Sequence, residues 1–443
     1  MSSLSEQLQL SPYQAYAYAY PHKTAYRDLP TPVDLREQWS GEDRSALFAY
    51  VHVPFCTYRC GFCNLFALGN PQPDLVASYV TQLIRQIQVT RDVLGEHRFV
   101  RFALGGGTPS YLQPAQLASV LEAVTRELTI DLQTNPAGIE VSPETATADR
   151  LQLCRDVGID RVSMGVQSFI DTELQALVRP TPRQEILSAI DTIRRLGFPT
   201  LNLDLIYGIR GQSLDSLRHS VRAALSFQPE EMYLYPLYVR PRTGLGRIES
   251  REHLDSNDTR MQMYFAARDL LLDAGYTQVS MRMFRSPTAP DVAAPAYCCQ
   301  NDGMVGIGCG ARSYTRSLHY SDRYGVARSS VSEILRQYVS AQERSFAQAS
   351  YGFVLDAREQ KHRYVIQSLL VRPGIDESAY VARFGTQALD DLPQLMELID
   401  NGLAQRHDGL VALTDDGMAR ADTIGPWLYS KEVAAGMEAY AVA

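Results

Sequence analysis

Leu201-Asn-Leu-Asp-Leu-Ile206 carries leucines at 201, 203 and 205 and polar residues at 202 and 204. Successive side chains of a strand point to opposite faces, so this segment predicts a strand with one apolar face and one polar face. The leucines belong under covering helices, and Asn202 and Asp204 belong on the inside of a barrel-like sheet. On both sides the same unit repeats. Short apolar runs at 48–53, 100–104, 138–141, 161–166 and 232–237 read as further strands. Helical patterns separate them. Leu75, Val76, Tyr79, Val80, Leu83, Ile84 and Ile87 share one helical face, as do Leu117, Val120, Leu121, Val124 and Leu128. A third helix carries Ile186, Ile190 and Ile193 and stops at Gly197, as helices commonly do. About six strand–helix units in series predict an α/β fold with a parallel sheet and right-handed crossovers, a partial (β/α)6 TIM-like barrel.

The chain flanks this region with two segments of different character. Residues 1–45 are tyrosine-rich and interrupted by proline, and they read as an irregular arm that packs on something. Residues 46–345 hold the partial barrel and a glycine-rich closing region. From 350 to 443, helical patterns near 362–370, 380–385 and 395–399 precede a hairpin over 402–417, which predicts a small winged-helix-like accessory domain.

Bulk properties exclude several classes. At 443 residues the chain exceeds one compact core. It is 45% apolar and 21% charged, and a net charge of −8 argues against nucleic acid as the main partner. No apolar run is long enough for a transmembrane segment. The first residues lack the basic start and apolar stretch of a signal peptide, so the expected location is cytoplasmic. Seven cysteines in so long a chain do not make a disulfide scaffold.

Three of those cysteines crowd into Cys56-Thr-Tyr-Arg-Cys60-Gly-Phe-Cys63, directly after a strand. Three thiolates on one loop can ligate three irons of a 4Fe–4S cubane and leave the fourth open to a chelating ligand. Thiolate softness also suits zinc, with His52 as a fourth ligand. Gly105-Gly-Gly-Thr-Pro109 ends the next strand, where a ligand can approach the backbone closely or the chain simply turns. Ile139-Glu-Val-Ser-Pro143 places Glu140 among apolar neighbours, either to accept bonds from ligand hydroxyls or as a paired core acid. Cys154 sits at helical spacing with Leu151 and Val157 and reads as core. Cys298 and Cys299 are adjacent and suit a shared ion poorly; Cys309 fits a tight glycine loop.

Tyr50-Val-His-Val-Pro-Phe-Cys56, the three-cysteine loop, the Gly-Gly-Gly-Thr-Pro run, Ile-Glu-Val-Ser-Pro, Arg161-Val-Ser-Met-Gly-Val-Gln-Ser-Phe169 and Asp204-Leu-Ile-Tyr-Gly208 follow one another in order. Together they resemble the oxygen-independent coproporphyrinogen III oxidase-like branch of the radical S-adenosylmethionine (SAM) superfamily, over about residues 48–314. The resemblance implies a 4Fe–4S cluster on Cys56, Cys60 and Cys63, covered by Phe62, with Tyr50 beside it. It implies that Gly106, Gly107 and Thr108 hold the methionine end of SAM and that Glu140 binds its ribose. Gln167, Arg179 and Asp204 match positions that contact cofactor or substrate carboxylates, although an ion pair bracing the barrel also explains Arg179 and Asp204. The loop containing Gly308 and Ala311 resembles one that closes the site, over one SAM molecule or two.

The implied partners are a small-molecule substrate and an electron donor such as flavodoxin or ferredoxin. The implied activity is reductive SAM cleavage to a 5′-deoxyadenosyl radical, acting on a tetrapyrrole or another carboxylated aromatic compound, as in porphyrin biosynthesis. Coproporphyrinogen oxidases of this branch carry a further cysteine two residues after the third, and Leu65 stands there in this chain. Haem-chaperone relatives lack that cysteine, and so do radical methyltransferases and cyclopropanases of natural-product biosynthesis. Both activities therefore stand as alternatives to porphyrinogen oxidation.

Overall fold

The computed structural model describes residues 3–9, 12–17, 19–240, 242–248, 259–290 and 303–442. Its centre is a run of parallel strands. These are β2 (Leu47–Val53), β3 (Phe99–Gly106), β4 (Ala137–Val141), β5 (Arg161–Gln167), β6 (Thr200–Tyr207) and β7 (Glu231–Pro236). Each pairs in parallel with the next. They are the six strands expected from the sequence. A seventh parallel strand, β10 (Met304–Ile307), lies on the free side of β2 and pairs Met304 with Phe48 and Gly306 with Tyr50.

Antiparallel strands extend both ends. Beyond β7 come β9 (Met283–Arg285) and β8 (Thr277–Gln278). Beyond β10 come β11 (Arg312–Tyr314), β12 (Leu318–Ser321), β13 (Gln348–Val354) and β1 (Arg27–Asp34). The thirteen-stranded sheet does not close, since β7 and β10 are not neighbours.

Crossover helices cover the outer face. α1 (Pro73–Leu94) starts with proline at its first position and buries Val76, Tyr79, Val80, Leu83 and Ile87, one stripe at helical spacing. Pro114–Glu127, Ala148–Asp156, Arg183–Arg195 and Leu214–Leu225 follow the next four strands in the same way. In β6 the leucines at 201, 203 and 205 are buried beneath these helices. On the other face, Asn202 Nδ2 donates to Ser163 Oγ at 2.8 Å and to Asp204 Oδ1 at 2.7 Å. The alternation of this one strand thus separates core from interior as the sequence predicts.

The C-terminal region has the expected helices and hairpin. Ala357–Leu369, Glu377–Phe384 and Gln394–Asp400 precede the hairpin of Ala404–His407 and Leu410–Leu413, which Ile375–Asp376 extends to a three-stranded antiparallel sheet. The arm differs from its reading as irregular. Residues 27–34 form the edge strand β1 on β13, with a register shift between Asp28 and Val33 around Pro30 and Pro32. Proline removes a ladder donor, which an edge strand with a bulge tolerates. Tyr13, Tyr20 and Tyr26 of the arm are buried. Among the described residues, no helix is long and apolar enough to cross a membrane.

Candidate functional site

β2 leads straight into the cysteine loop. Phe55–Cys56 forms a short parallel pairing with Leu68–Gly69, which fixes where the loop leaves and returns. Its crown is gripped from two sides: Gly61 N–H donates to Leu177 O at 2.9 Å, and Leu245 N–H donates to Gly61 O at 2.7 Å. Phe62 packs against the apolar cluster of Leu177, Ile206, Ile209, Leu237 and Leu245. Two of the three sulfurs accept side-chain hydrogen bonds, Cys56 from Thr108 Oγ1 at 3.5 Å and Cys60 from Arg179 Nη1 at 3.2 Å. Burial pushes the Cys56 thiol up to about 12; the Thr108 hydroxyl opposes the shift and the neighbouring Cys63, Cys60 and Glu144 add to it. Cys60 is raised for the same first reason, against the pull of Arg179.

Three thiolates on one loop suit a cubane, which takes one at each of three irons. Among the described residues no three His, Cys, Asp or Glu side chains converge on one ion position. A cubane does not require that convergence, because each iron takes one thiolate. His52 is already engaged at both nitrogens. Nε2 bonds Phe66 O at 3.0 Å, and Nδ1 lies 3.4 Å from Tyr50 Oη. Burial lowers its pKa to about 4, so the ring is neutral, with Nε2–H as donor and Nδ1 facing the tyrosine hydroxyl.

β3 ends in the glycine run, and side chains are excluded there by contact. A Cβ on Gly105 would stand 2.9 Å from the Glu140 carboxylate, and one on Gly106 would stand 2.7 Å from the His52 ring. Gly106 also has φ +116°, a conformation closed to other residues without strain. Its N–H donates to Glu140 Oε2 at 3.0 Å. Gly107 and Thr108 bond back to Val53 O and Phe55 O, which ties the run to the base of the cysteine loop.

Glu140, Gln167, Arg179 and Asp204 come together on this same face. Gln167, at the end of β5, has φ +72° beside a register shift in the β5–β6 ladder. Val178 has φ +52°, a costly conformation for a β-branched residue. It turns the chain so that the next residue, Arg179, reaches the cysteine loop. Arg179 donates Nη1 to Cys60 and Nη2 to Gly165 O at 2.7 Å, whereas its buried Nε has no partner among the described residues. Glu140 lies on a central strand yet keeps accessible surface, as Tyr50, Phe62, Asp204, Tyr233 and Tyr235 do in part. That surface lies on the inner side of the sheet. Burial pushes Glu140 up to about 7, against the Gly106 N–H and with help from Asp204. Asp204 rises to about 6, again from burial, opposed by Asn202, Arg161 and Arg179.

The glycine-rich loop packs behind the cysteine loop. Gly308 has φ +96° and donates its N–H to Gln86 Oε1 at 2.8 Å; Ala311 N–H closes a turn onto Gly308 O at 3.0 Å. Cys154 is buried, as its helical spacing predicts, and Cys309 of the glycine-rich loop is buried too. Cys298 and Cys299 lie outside the described residues.

Sequence reasoning passed over part of the inner face. Arg161 pairs with Glu231 at 2.8 Å, and Tyr233 and Tyr235 continue the same side of β7. The signal was present, because Glu231, Tyr233 and Tyr235 alternate just as the polar residues of β6 do.

Comparison with known proteins bears on the family and the fold. Residues 50–224 match the model of the Radical SAM superfamily. The chain is similar to the heme chaperone HemW of Bacillus subtilis, at 26% identity over 380 residues, covering 83% of this chain and 95% of that protein. It is also similar to the oxygen-independent coproporphyrinogen III oxidase of Pseudomonas aeruginosa, at 27% identity over 386 residues, covering 84% and 81%. In three dimensions it resembles the coproporphyrinogen III oxidase HemN from Escherichia coli with a TM-score of 0.80, at 21% identity and over 93% and 96% of the two chains.

Proposed function

Because the chain belongs to the radical SAM superfamily, we propose that it is an enzyme whose Cys56, Cys60 and Cys63 hold a 4Fe–4S cluster beside one SAM site. The observation that carries this reading is the meeting of the three-thiol loop, the glycine run, Glu140, Arg179 and Asp204 on one inner face. Together, cluster and SAM supply one-electron reductive cleavage of the sulfonium, giving methionine and a 5′-deoxyadenosyl radical.

The chain's own groups bind and orient. Backbone at Gly106, Gly107 and Thr108 receives the methionyl amino end, and Glu140 accepts from the ribose hydroxyls. Arg179 Nε, buried and without a partner among the described residues, is suited to a carboxylate, with Gln167 and Asp204 beside it. Tyr50, hydrogen-bonded to a neutral His52, holds a proton next to the cluster loop. Gly308 and Ala311 close the site from behind, and a second SAM would lie against them. Residues 46–345 form the catalytic unit, residues 350–443 are accessory, and the arm is residues 1–45. The substrate is a tetrapyrrole or another carboxylated aromatic compound, and a flavodoxin- or ferredoxin-type protein supplies the electron.

The test is anaerobic cluster reconstitution, dithionite reduction and chromatography for 5′-deoxyadenosine. Production above a Cys60→Ser control supports the reading. No production from a fully loaded cluster removes it and favours haem trafficking, which the HemW similarity and Leu65 support. Haem titration by absorbance then decides that second reading.

A further inference from the structure

The helix Asp171–Ala176, which follows β5, is six residues long, too short to keep its place by its own hydrogen bonds. Its Glu173 is 4% exposed. Oε2 accepts from Ser168 Oγ at 2.6 Å and from Gln212 Nε2 at 3.0 Å, and Oε1 accepts from Ser216 Oγ at 2.6 Å. All three donors are neutral. A buried acid met by several aimed donors is a fixed point, because releasing one strands a polar group away from water. The donors come from the ends of two neighbouring strands. Ser168 directly follows β5. Gln212 holds the turn after β6, where its Oε1 accepts from Gly208 N–H at 2.8 Å, and Ser216 belongs to the capping box that starts the helix Leu214–Leu225.

The other end of this helix stands against the cysteine loop. Leu177 N–H closes the last turn onto Glu173 O at 3.1 Å, and Leu177 O accepts from Gly61 N–H at 2.9 Å. A Cβ on Gly61 would stand 2.9 Å from the Val178 side chain, so the two segments pack with no room between them. Arg179 N–H bonds back to Leu174 O at 2.9 Å, and its Nη1 donates to Cys60 Sγ at 3.2 Å. Tyr58 of the loop bonds Thr181. A strained residue such as the left-handed Val178 persists only where its surroundings hold it from both sides. The loop is one side, and Glu173 is the other.

We infer that Glu173 is a positioning residue for the cysteine loop. Anchored at the turn after β6, it keeps Leu177 and Arg179 against Gly61 and Cys60 and so maintains the hydrogen bond to the Cys60 sulfur. Hydrogen bonds and positive charge at the sulfurs favour the reduced form of an iron–sulfur cluster and raise its potential. Glu173 therefore acts on that potential through Arg179, with no bond of its own to any of the three cysteines. The effect on potential rests on the proposed function; the hold on the loop is also measurable without a cluster.

Two readouts on the full chain test this. The first is amide hydrogen exchange across the cysteine loop of the cluster-free protein. Glu173→Leu should speed exchange there about tenfold or more. Glu173→Gln keeps an oxygen for Ser168 and Gln212 and turns an amide toward Ser216, and should stay within about threefold of wild type. Ser168→Ala removes one donor and little bulk; it should move exchange in the same direction by less, and it decides the matter if Glu173→Leu does not fold. Glu127→Gln, which disturbs an acid paired with Arg91 and Arg126 on another helix, should leave the loop unchanged. The second readout is the midpoint potential of the reconstituted cluster, followed by electron paramagnetic resonance. It should fall in Glu173→Leu in the same direction as in Arg179→Met, and the double variant should fall no further than Arg179→Met alone. Wild-type exchange in a folded Glu173→Leu protein overturns the inference, and so does a faster loop in Glu127→Gln, which would mean general loosening. An unchanged potential, or two shifts that add in the double variant, also overturns it. A wild-type chain that takes up no iron or sulfide removes the cluster reading instead, and exchange alone then decides whether Glu173 holds the loop.

Discussion

The Arg282–Asp422 pair joins the end of the sheet to the C-terminal region, and breaking it should cost more than any surface change. Asp422→Asn keeps the shape but removes the charge. Arg282 would then be a buried cation whose Asp422 carboxylate, which also accepts from the Tyr238 hydroxyl, is gone. An arginine cannot shed its proton to relieve this. Removing one partner of a buried ion pair costs about 3–5 kcal/mol, and the absence of any neutralising route places this case near 4 kcal/mol. Replacing both groups, with Arg282→Met and Asp422→Leu, removes charge and counter-charge together and should stay within about 1–2 kcal/mol of wild type. The chain has two tryptophans, and Trp427 lies in the helix Ala421–Trp427 that carries Asp422. In a Trp39→Phe background, urea unfolding followed by tryptophan fluorescence therefore reads this region alone. Near-equal midpoints for wild type and Asp422→Asn would refute the reasoning. So would a double variant as unstable as the single one, because the loss would then be packing rather than unpaired charge.

Three further outcomes are expected. Serine at Cys56, Cys60 or Cys63 should lower iron and sulfide per chain after reconstitution, and a variant that loads like wild type is not a ligand. Gly107→Ala should destabilise by about 1–3 kcal/mol in thermal unfolding, because its Cβ would stand 2.7 Å from Phe55 O, a backbone atom that cannot rotate away; an unchanged melting temperature would count against the tight seat of the glycine run. Glu140→Gln should flatten the pH dependence of stability of the cluster-free protein. A carboxyl raised from 4.5 to about 7 binds its proton more tightly folded than unfolded, so its contribution is full below pH 4.5 and is lost as pH rises through about 7. The full linkage of about 3 kcal/mol falls to about 1–2 kcal/mol because Glu140 keeps accessible surface where solvent screens it, and equal slopes for the two proteins between pH 4.5 and 7 would contradict it.

The parallel centre was legible because each strand carries its own apolar run and each helix its own stripe. The cysteine loop, the glycine run and Glu140 were legible for a similar reason: each is a local pattern at a strand end. What escaped depends on contacts between distant residues. β10 holds only four residues, Met304–Ile307, and its position beside β2 comes from pairing Met304 with Phe48. β1 carries two prolines, which read as a break until β13 supplies a partner at the sheet edge. Arg282 and Asp422 stand 140 residues apart, and neither segment marks the other. The left-handed Val178 breaks the usual preference of its side chain, and its reason appears only when Arg179 is seen against Cys60.

The charges on the inner face explain which ligand groups it suits. Glu140 and Asp204 are both raised toward neutrality by burial, so they hold protons more readily than surface acids. Arg161 is answered by Glu231 at 2.8 Å and takes part in its own pair. Among the described residues, Arg179 and Arg282 each retain a buried Nε–H with no partner, the first of them beside the cysteine loop. A buried donor left unsatisfied costs about 1–3 kcal/mol, so each is a standing demand for an acceptor.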